Sequence, residues 1–176
     1  NRREDDEVIP LSNPILESIR RLLTDAGVPY REVQHAPTFT SEESAKARGE
    51  ELRTGGKALL LKTDDVFRLF VLPADRKLDS AAVKRHLGVR KTRFATADEL
   101  KDLAGLVPGS VPPFGPPILP FELYVDEAIR ANERIAFNAG SLTDSIILAT
   151  ADYLAAARPA LFAFSIPPSE PEGQRG

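Results

Sequence analysis

Cysteine is absent from the 176 residues of this chain. Disulfide bonds, thiolate nucleophiles and zinc sites with sulfur ligands are therefore excluded, and a reducing, intracellular environment is favoured. Long apolar runs are absent as well. No segment approaches the length of a membrane span, and the N-terminal NRREDDEVIP has arginines without an apolar stretch behind them. We expect a soluble, cytoplasmic protein with no membrane partner.

Histidines and the common catalytic motifs are also scarce. The sequence has no GxxxxGK[ST], GxGxxG, HExxH or GxSxG motif, and its two histidines are His35 and His86. We therefore expect no metal site built on imidazoles and no cofactor. His86 lies in a basic stretch and is predicted to be a surface residue. His35 precedes APTFT, where a strand should end, so it either lines a pocket or is a hydrogen-bonded structural histidine.

Positive charge is concentrated in one segment of a chain whose net charge is -3. The segment KRHLGVRKTR contains Lys84, Arg85, Arg90, Lys91 and Arg93 and no acid. The negative total argues against a general nucleic-acid coat and against DNA as a partner, because phosphate binding needs many cations acting together. The segment itself is interpreted either as a solvated helix end with an exposed strand, or as a face that meets a polyanion.

The order of helix and strand signals predicts one α/β or α+β domain around a mixed central β-sheet flanked by short helices. Helices are predicted in SNPILESIRRLLTDAG, TSEESAKARG, AAVKRHLG, ATADELKDLAG and TADYLAAA, with caps at Ser12 or Asn13, Thr40, Asp79 or Ser80, Thr96 and Thr150. Two of these caps are predicted to form capping boxes, Thr40 with Glu43 and Thr96 with Glu99. Strands are predicted in YREVQH, near residues 91 to 95, in RIAFNAG and in SIILA. KALLLKTDDVFRLFVLP is predicted to be a hairpin at the centre of the sheet, buried on both faces and turning at Asp64-Asp65.

Three loops combine small residues, turn formers and polar groups between apolar strands: GGKALLLK, PGSVPPFG and FNAGSLTD. Glycine lets a ligand approach the backbone closely, and proline fixes the shape of a loop. GSVPPFG is therefore interpreted as a rigid rim that offers N–H groups to a carbonyl or carboxylate, or else as an ordinary proline-rich connection.

The order of these motifs resembles the YbaK/EbsC family of aminoacyl-tRNA deacylases, which is related to the editing domain of bacterial prolyl-tRNA synthetases. The resemblance covers about residues 14 to 164, through VQHAPTFTSEE, GGKALLLK, VLPADRKLD, VKRHLG, GSVPPFG and FNAGSLTDSI. Gly109 and Pro113 fit the family's G-x-x-x-P loop, and Lys57 falls on its functional lysine, whereas Lys62 does not. The resemblance implies an editing domain over residues 14–164 with a partly barrel-like sheet, an N-terminal extension at 1–13 and a flexible tail at 165–176.

The same resemblance implies the site. Lys57 would be the catalytic residue, in a charged state that orients the substrate's carbonyl or terminal phosphate. The substrate-binding residues would be Gly109, Ser110, Val111, Pro112, Pro113, Phe114, Asn138, Gly140, Ser141, His35 and Thr38, with Phe114 as an apolar filler of the pocket. Relatives often carry a histidine after the AGS step, where this chain has Leu142. Alanine, serine, cysteine and larger side chains remain open as the amino acid removed.

The implied function is hydrolysis, in trans and without a metal, of the ester that joins a wrongly attached amino acid to the 3′ end of a tRNA. Such an ester is already activated, so a site that positions water and stabilises negative charge on the carbonyl oxygen suffices. Mischarged tRNA is the expected partner, with an aminoacyl-tRNA synthetase as a second one. The expected RNA-contacting residues are Lys84, Arg85, Arg90 and Lys91. A non-catalytic tRNA-binding module and a binder of small amino-acid-like metabolites remain alternatives.

Overall fold

The computed structural model describes residues 12–168. Residues 1–11 of the predicted N-terminal extension and residues 169–176 of the predicted tail lie outside the described part of the chain. Within it, no helix has the length and apolarity needed to cross a bilayer.

Each of the five segments that the sequence predicts to be helical contains a helix in the described residues. The helices are α1 (Pro14–Asp25), α2 (Ser41–Arg48), α3 (Ser80–Leu87), α4 (Ala97–Ala104) and α5 (Thr150–Ala157). Asn13 caps α1 by accepting a hydrogen bond from the Leu16 N–H. Thr96 and Glu99 form a reciprocal capping box at the start of α4. These local hydrogen bonds satisfy N–H groups that a helix leaves unpaired at its first turn.

Two of the predicted caps differ from the expectation. The hydroxyl of Thr40 accepts from the Glu43 N–H as predicted, but the Glu43 carboxylate accepts from the Phe39 N–H, so the box is not reciprocal. The prediction that Thr150 caps the last helix is wrong. Ala149 is the N-cap, no side chain caps this helix, and the Thr150 hydroxyl is buried without a hydrogen-bond partner among residues 12–168. The helix starts here without a side-chain cap because it follows directly from a strand.

The strands of the described residues form three sheets. They are β1 (Arg31–Gln34), β2 (Gly56–Thr63), β3 (Val66–Pro73), β4 (Lys77–Leu78), β5 (Thr92–Phe94), β6 (Leu123–Asp126), β7 (Arg134–Asn138), β8 (Asp144–Ala149), β9 (Ala160–Phe162) and β10 (Ser165–Ile166). The main sheet has the order β5-β2-β3-β6-β9, with β6 parallel to β3 and to β9. A second sheet has the order β1-β8-β7, and β10 pairs with β4. The predicted mixed sheet with short flanking helices is confirmed.

Two details of the predicted architecture differ. A parallel bridge between Gly55 and Ala136 joins the edges of the two larger sheets, but the strands of residues 12–168 do not close into a barrel. The predicted tail begins at residue 165, yet Ser165–Ile166 form β10, because Ser165 pairs with Leu78 and Ile166 with Lys77. Backbone pairing with a short strand therefore holds these two residues.

The hairpin of β2 and β3 turns at Asp64 and lies at the centre of the main sheet, as predicted. Successive residues of β3 face opposite sides of the sheet. Leu69 and Val71 pack into one core cluster, which includes Ile19 of α1, and Phe70 and Leu72 pack into a second. Burying each such side chain contributes about 1.5–3 kcal/mol. β3 is thus buried on both faces, whereas the first residues of β2 are only half-buried.

Candidate active site

A cleft of about 210 Å³ opens where β2 begins. Its walls come from the segment 38–41 with α2, from the start of β2, from the loop around Gly109, and from the end of β7. Among residues 12–168, β5 pairs with residues 61–63 of β2, and the start of β2 beside the cleft is joined to β7 through the single bridge between Gly55 and Ala136. The lining residues include two cations, Arg48 and Lys57, and no aspartate or glutamate. The cleft therefore favours a ligand that carries or develops negative charge.

Lys57 is the second residue of β2, and its side chain is half-buried. Its Nζ donates a hydrogen bond to the carbonyl oxygen of Arg76 at 3.1 Å. Burial lowers the pKa of Lys57 below its ordinary value of 10.5, and the negative charges of Glu42 and Asp75 partly offset that effect. The amine is thus anchored by a neutral carbonyl rather than by a carboxylate, which leaves its charge free to act on a ligand in the cleft.

The Gly109–Pro113 loop is held in place by hydrogen bonds to neighbouring residues. Gly109 has a φ of 85°, a conformation that suits glycine. The Ser110 hydroxyl donates to the Val107 carbonyl, and the buried Tyr153 hydroxyl donates to the Pro113 carbonyl. Within residues 12–168, neither the Gly109 nor the Val111 N–H has a hydrogen-bond partner, and both residues line the cleft. These two amides can receive a ligand oxygen without displacing any internal bond.

Asn138, the last residue of β7, connects two walls of the cleft. Its Nδ2 donates to the Gly109 carbonyl oxygen at 2.7 Å, and its Oδ1 accepts from an η nitrogen of Arg48 at 2.9 Å. Because the two neighbours require opposite hydrogen-bonding roles, the orientation of the amide is determined. Asn138 therefore fixes the position of the loop relative to α2.

Arg48, the last residue of α2, belongs to the site although its sequence context did not indicate it. Only 7% of the residue is exposed. Its Nε donates to the Ser145 hydroxyl at 2.9 Å, and the same hydroxyl lies 2.8 Å from Nε2 of His35. Burial lowers the pKa of Arg48 to about 10, against a smaller opposing effect of Glu50. Basic residues are common in the last turn of solvent-exposed helices, where they interact favourably with the helix dipole. The position of Arg48 in the sequence therefore gave no signal that its side chain would be buried.

The structure brings five of the predicted site residues to the cleft and leaves the others outside it. Lys57, Gly109, Val111, Asn138 and Thr38 line it, and the Thr38 hydroxyl lies 2.8 Å from that of Ser44, another lining residue that the sequence did not single out.

The remaining substrate-binding candidates have structural neighbours instead. Pro112, Pro113 and Ser110 are buried within the loop, and Phe114 packs edge-on against Phe137 and Tyr153 in the core. A Cβ at Gly140 would contact Asn13 and Ile15, so Gly140 lies against the start of α1. Ser141 donates to the Asp144 carboxylate. His35 takes the hydrogen-bonded alternative of its two predicted roles, with Nδ1 donating to the Ala36 carbonyl and Nε2 close to Ser145.

None of the predicted RNA-contacting residues lines the cleft, and two of them, Arg90 and Lys91, lie near the other end of β2. Arg85, Arg90 and Lys91 are exposed and Lys84 is half-buried, and none forms an ion pair within residues 12–168. The Asp64 carboxylate holds the segment by accepting from the Arg90 and Lys91 N–H groups. The distance along β2 from Lys57 to Lys62, which pairs with Arg93, is roughly 16 Å. His86 is exposed, as predicted, and stacks on Phe162.

Comparisons with known proteins relate this chain to aminoacyl-tRNA editing. The family model described as the aminoacyl-tRNA editing domain matches residues 35–156. The Multifunctional Ser/Thr-tRNA deacylase ProXp-y of Escherichia coli (strain K12) is 36% identical over 149 residues, which are 81% of this chain and 88% of that protein. Proline--tRNA ligase of Shouchella clausii is 36% identical over 100 residues, which are 57% of this chain and 17% of that enzyme.

Solved structures agree on the architecture. The crystal structure of a candidate trans-editing enzyme for prolyl tRNA synthetase superposes with a TM-score of 0.76 at 24% identity, covering 88% of this chain and 99% of that one. At this identity the match establishes the fold alone. The family model spans more than half of the sequence, and the E. coli relative is matched over most of its length. This chain belongs to the aminoacyl-tRNA editing domain family.

Proposed function

We propose that this protein is an aminoacyl-tRNA deacylase that acts in trans on mischarged tRNA, as a quality-control step of translation. The observation that carries the proposal is a cleft that no aspartate or glutamate of residues 12–168 lines, in which Lys57 lies with the amides of Gly109 and Val111, both unpaired within the same residues. Membership of the editing-domain family supports the same reaction. A fixed cation and two unpaired amides suit the hydrolysis of an ester, whose carbonyl oxygen becomes negatively charged on the way to products.

The reaction needs no covalent enzyme intermediate. A water oxygen attacks the ester carbon, the π electrons of the carbonyl move to its oxygen, and a tetrahedral oxyanion forms. When the C=O bond re-forms, the bond to the ribose oxygen breaks, and that oxygen takes the proton that the attacking water has given up. The products are the free amino acid and a tRNA with an unesterified 3′ end. The amides of Gly109 and Val111 stabilise the oxyanion, and Lys57 contributes positive charge while protonated.

We propose serine and threonine as the amino acids removed. The E. coli relative, 36% identical, is named a Ser/Thr-tRNA deacylase. The cleft offers a buried pair of hydroxyls, Thr38 and Ser44, that can exchange hydrogen bonds with a substrate hydroxyl. A site built to bond a hydroxyl rejects an analogue that lacks one, because its own polar groups are then left unpaired. Leu142 lies beside the loop, with its Cδ2 3.4 Å from the position that a Gly109 Cβ would take, and does not line the cleft.

The tRNA body is proposed to contact four cations, the exposed Arg85, Arg90 and Lys91 and the half-buried Lys84. They form no ion pair among the described residues and do not line the cleft, so they can meet the backbone of the acceptor stem while the 3′ end enters the site. Replacing Arg90 and Lys91 by alanine is expected to weaken the binding of all tRNAs to a similar extent. The plot of the logarithm of the binding constant against the logarithm of the salt concentration should become less steep by about 2. Lys101→Ala, an exposed lysine on α4, is the matched control. An aminoacyl-tRNA synthetase is proposed as a further partner.

The direct test is deacylation of a panel of mischarged tRNAs by the wild type, Lys57→Ala and Lys62→Ala. Lys62 lies on the same strand over the ring of Phe67, away from the cleft, so it is a matched control. We expect the wild type and Lys62→Ala to release serine and threonine, and Lys57→Ala to be slower by about 10²-fold or more. Equal rates for Lys57→Ala and the wild type would remove Lys57 from the mechanism. Tight tRNA binding with no turnover on any member of the panel would overturn the proposal in favour of a binding module.

A further inference from the structure

Arg48 carries a buried positive charge that forms no ion pair among residues 12–168, and the charge of Glu50 offsets the effect of its burial only in part. Two of its three guanidinium nitrogens are engaged, by the neutral oxygens of Ser145 and Asn138. Among residues 12–168, no carboxylate lies within ion-pair distance of Arg48, and its Nη1 makes no hydrogen bond. A buried charge without a counter-ion is costly to a protein, so an arrangement of this kind calls for a ligand that completes it.

The Arg48 nitrogen without a hydrogen bond among residues 12–168, Nη1, lies beside Gly55, another residue that lines the cleft. Arg48 lines the cleft together with Gly55 and Asn138. A Cβ added at Gly55 would lie 3.7 Å from Nη1, so the missing side chain of Gly55 keeps the space beside Nη1 open. The bonds to Ser145 and Asn138 hold the guanidinium plane in place, which means that no rearrangement is needed before Nη1 donates a hydrogen bond.

We propose that Arg48 is a substrate-binding residue whose Nη1 donates a hydrogen bond to the acyl oxygen of the aminoacyl ester. This inference rests on the proposed deacylase function and adds a second cation to its site. The α-ammonium group of the substrate is repelled by a cleft that contains Arg48 and Lys57 and no lining acid. The acyl oxygen is the group of the ester that gains negative charge during hydrolysis, so the hydrogen bond from Arg48 strengthens as the oxyanion forms.

The kinetic test compares Arg48→Lys with Arg134→Lys, using seryl-tRNA substrates that the wild type hydrolyses. Arg134 is exposed, bonds to Glu50 and does not line the cleft, so it controls for the loss of a guanidinium elsewhere. We expect kcat to fall about 10²-fold in Arg48→Lys with KM changed less than a few fold, and both to stay unchanged in Arg134→Lys. Methylguanidinium added to Arg48→Ala is expected to restore part of kcat, which a purely structural role would not allow.

A second measurement needs no variant. The wild-type protein with ¹⁵N-labelled arginine is titrated with 3′-deoxy-3′-(L-serylamino)adenosine, a hydrolysis-resistant analogue of the aminoacyl end. The Arg48 side-chain resonance is expected to shift on binding, whereas that of Arg134 is not.

The outcomes separate the two proposals. A wild type that neither hydrolyses mischarged tRNA nor binds the analogue overturns the deacylase function and this inference with it. An active wild type together with wild-type kcat in Arg48→Lys, or an unmoved Arg48 resonance in the saturated complex, overturns the role of Arg48 alone.

Discussion

The amide of Asn138 donates a hydrogen bond to the carbonyl oxygen of Gly109 at 2.7 Å, across a sequence separation of 29 residues. The other end of the same amide accepts from Arg48. One side chain thus ties the loop with the free amides to the buried guanidinium. The spacing between these donors decides how well they meet one oxygen atom, and catalysis is sensitive to shifts of that size.

Asn138→Asp separates this positioning role from stability. The new carboxylate can pair with the Arg48 guanidinium, but it cannot donate to the Gly109 carbonyl and repels it instead. We therefore expect the free energy of unfolding to be retained while kcat for deacylation falls about tenfold, the value of one hydrogen bond of 1–1.5 kcal/mol. Asn132→Asp is the control, because Asn132 also donates to a backbone carbonyl, that of Arg53, away from the cleft. An unchanged kcat in Asn138→Asp would contradict the role given to this amide.

The lowered pKa of Lys57 predicts a specific pH dependence of activity. If Lys57 acts while charged, the enzymatic rate, corrected for spontaneous ester hydrolysis, must fall as the pH rises through that lowered pKa, at a pH below 10.5. Lys57→Arg stays charged over this range, so the falling limb should be absent. ¹³C NMR of the lysine Cε atoms gives the pKa independently of activity. A rate that rises through the NMR-measured pKa would indicate that the neutral amine is the active form.

The lowered pKa of Lys57 also makes the stability of the protein depend on pH. Burial lowers the pKa of Lys57 in the folded state, so between that pKa and 10.5 the unfolded chain holds the Lys57 proton more firmly than the folded protein does. The Lys57 contribution to the free energy of unfolding therefore increases as the pH rises through this window. Lys57→Met removes the titrating group, and chemical denaturation at several pH values should show a smaller increase for this variant than for the wild type.

Local signals in the sequence were enough to predict most helices and the central hairpin. The reciprocal box of Thr96 and Glu99 and the left-handed glycines after α2, α3 and α4 depend on residues only a few positions apart. The two-residue turn at Asp64-Asp65 likewise depends on its own neighbours. Such features form from local hydrogen bonds and conformational preferences, which a sequence states directly.

Contacts between distant segments were not predictable in the same way. The parallel pairing of β3 with β6 and the pairing of β1 with β8 join segments that have no local relation. Arg48 shows the effect on the site: its partners Ser145 and Asn138 are 97 and 90 residues away. Lys57 and Gly109 were singled out together because their motifs resemble a known family, and the structure places both on the same cleft. Periodicity and composition alone do not relate them.

Tyr153→Phe tests the contribution of the hydrogen bond between Tyr153 and the Gly109–Pro113 loop. Tyr153 is fully buried, and burial raises the pKa of its hydroxyl well above 10, so it remains a protonated donor to the Pro113 carbonyl. Removing the hydroxyl leaves that carbonyl without its donor and should destabilise the protein by about 1–2 kcal/mol. Urea denaturation measures the change. Tyr30→Phe is the control, because the Tyr30 hydroxyl makes no hydrogen bond among the described residues, and its stability should match that of the wild type.

Thr150→Val is expected to stabilise the protein, which is unusual for a buried position. The Thr150 side chain is buried at the start of α5, its N–H donates to the Glu133 carbonyl, and its hydroxyl has no partner within residues 12–168. Valine keeps the shape and removes the unpaired polar atom, so the free energy of unfolding should rise by about 1 kcal/mol. Thr150→Ser keeps the hydroxyl and deletes the methyl group, so it should lower the stability by about 1 kcal/mol.

Thr150→Val and Thr150→Ser together show whether the Thr150 hydroxyl is unpaired or makes a hydrogen bond in solution. Because the chain contains no tryptophan, unfolding in urea is best followed by far-ultraviolet circular dichroism. A hydroxyl that made a hydrogen bond in solution would reverse the expected order of the two substitutions. Thr150→Val would then lose that bond and fall below the wild type, whereas Thr150→Ser would lose only the packing of one methyl group. Thr150→Val above the wild type, with Thr150→Ser below it, is the order that a buried and unpaired hydroxyl requires.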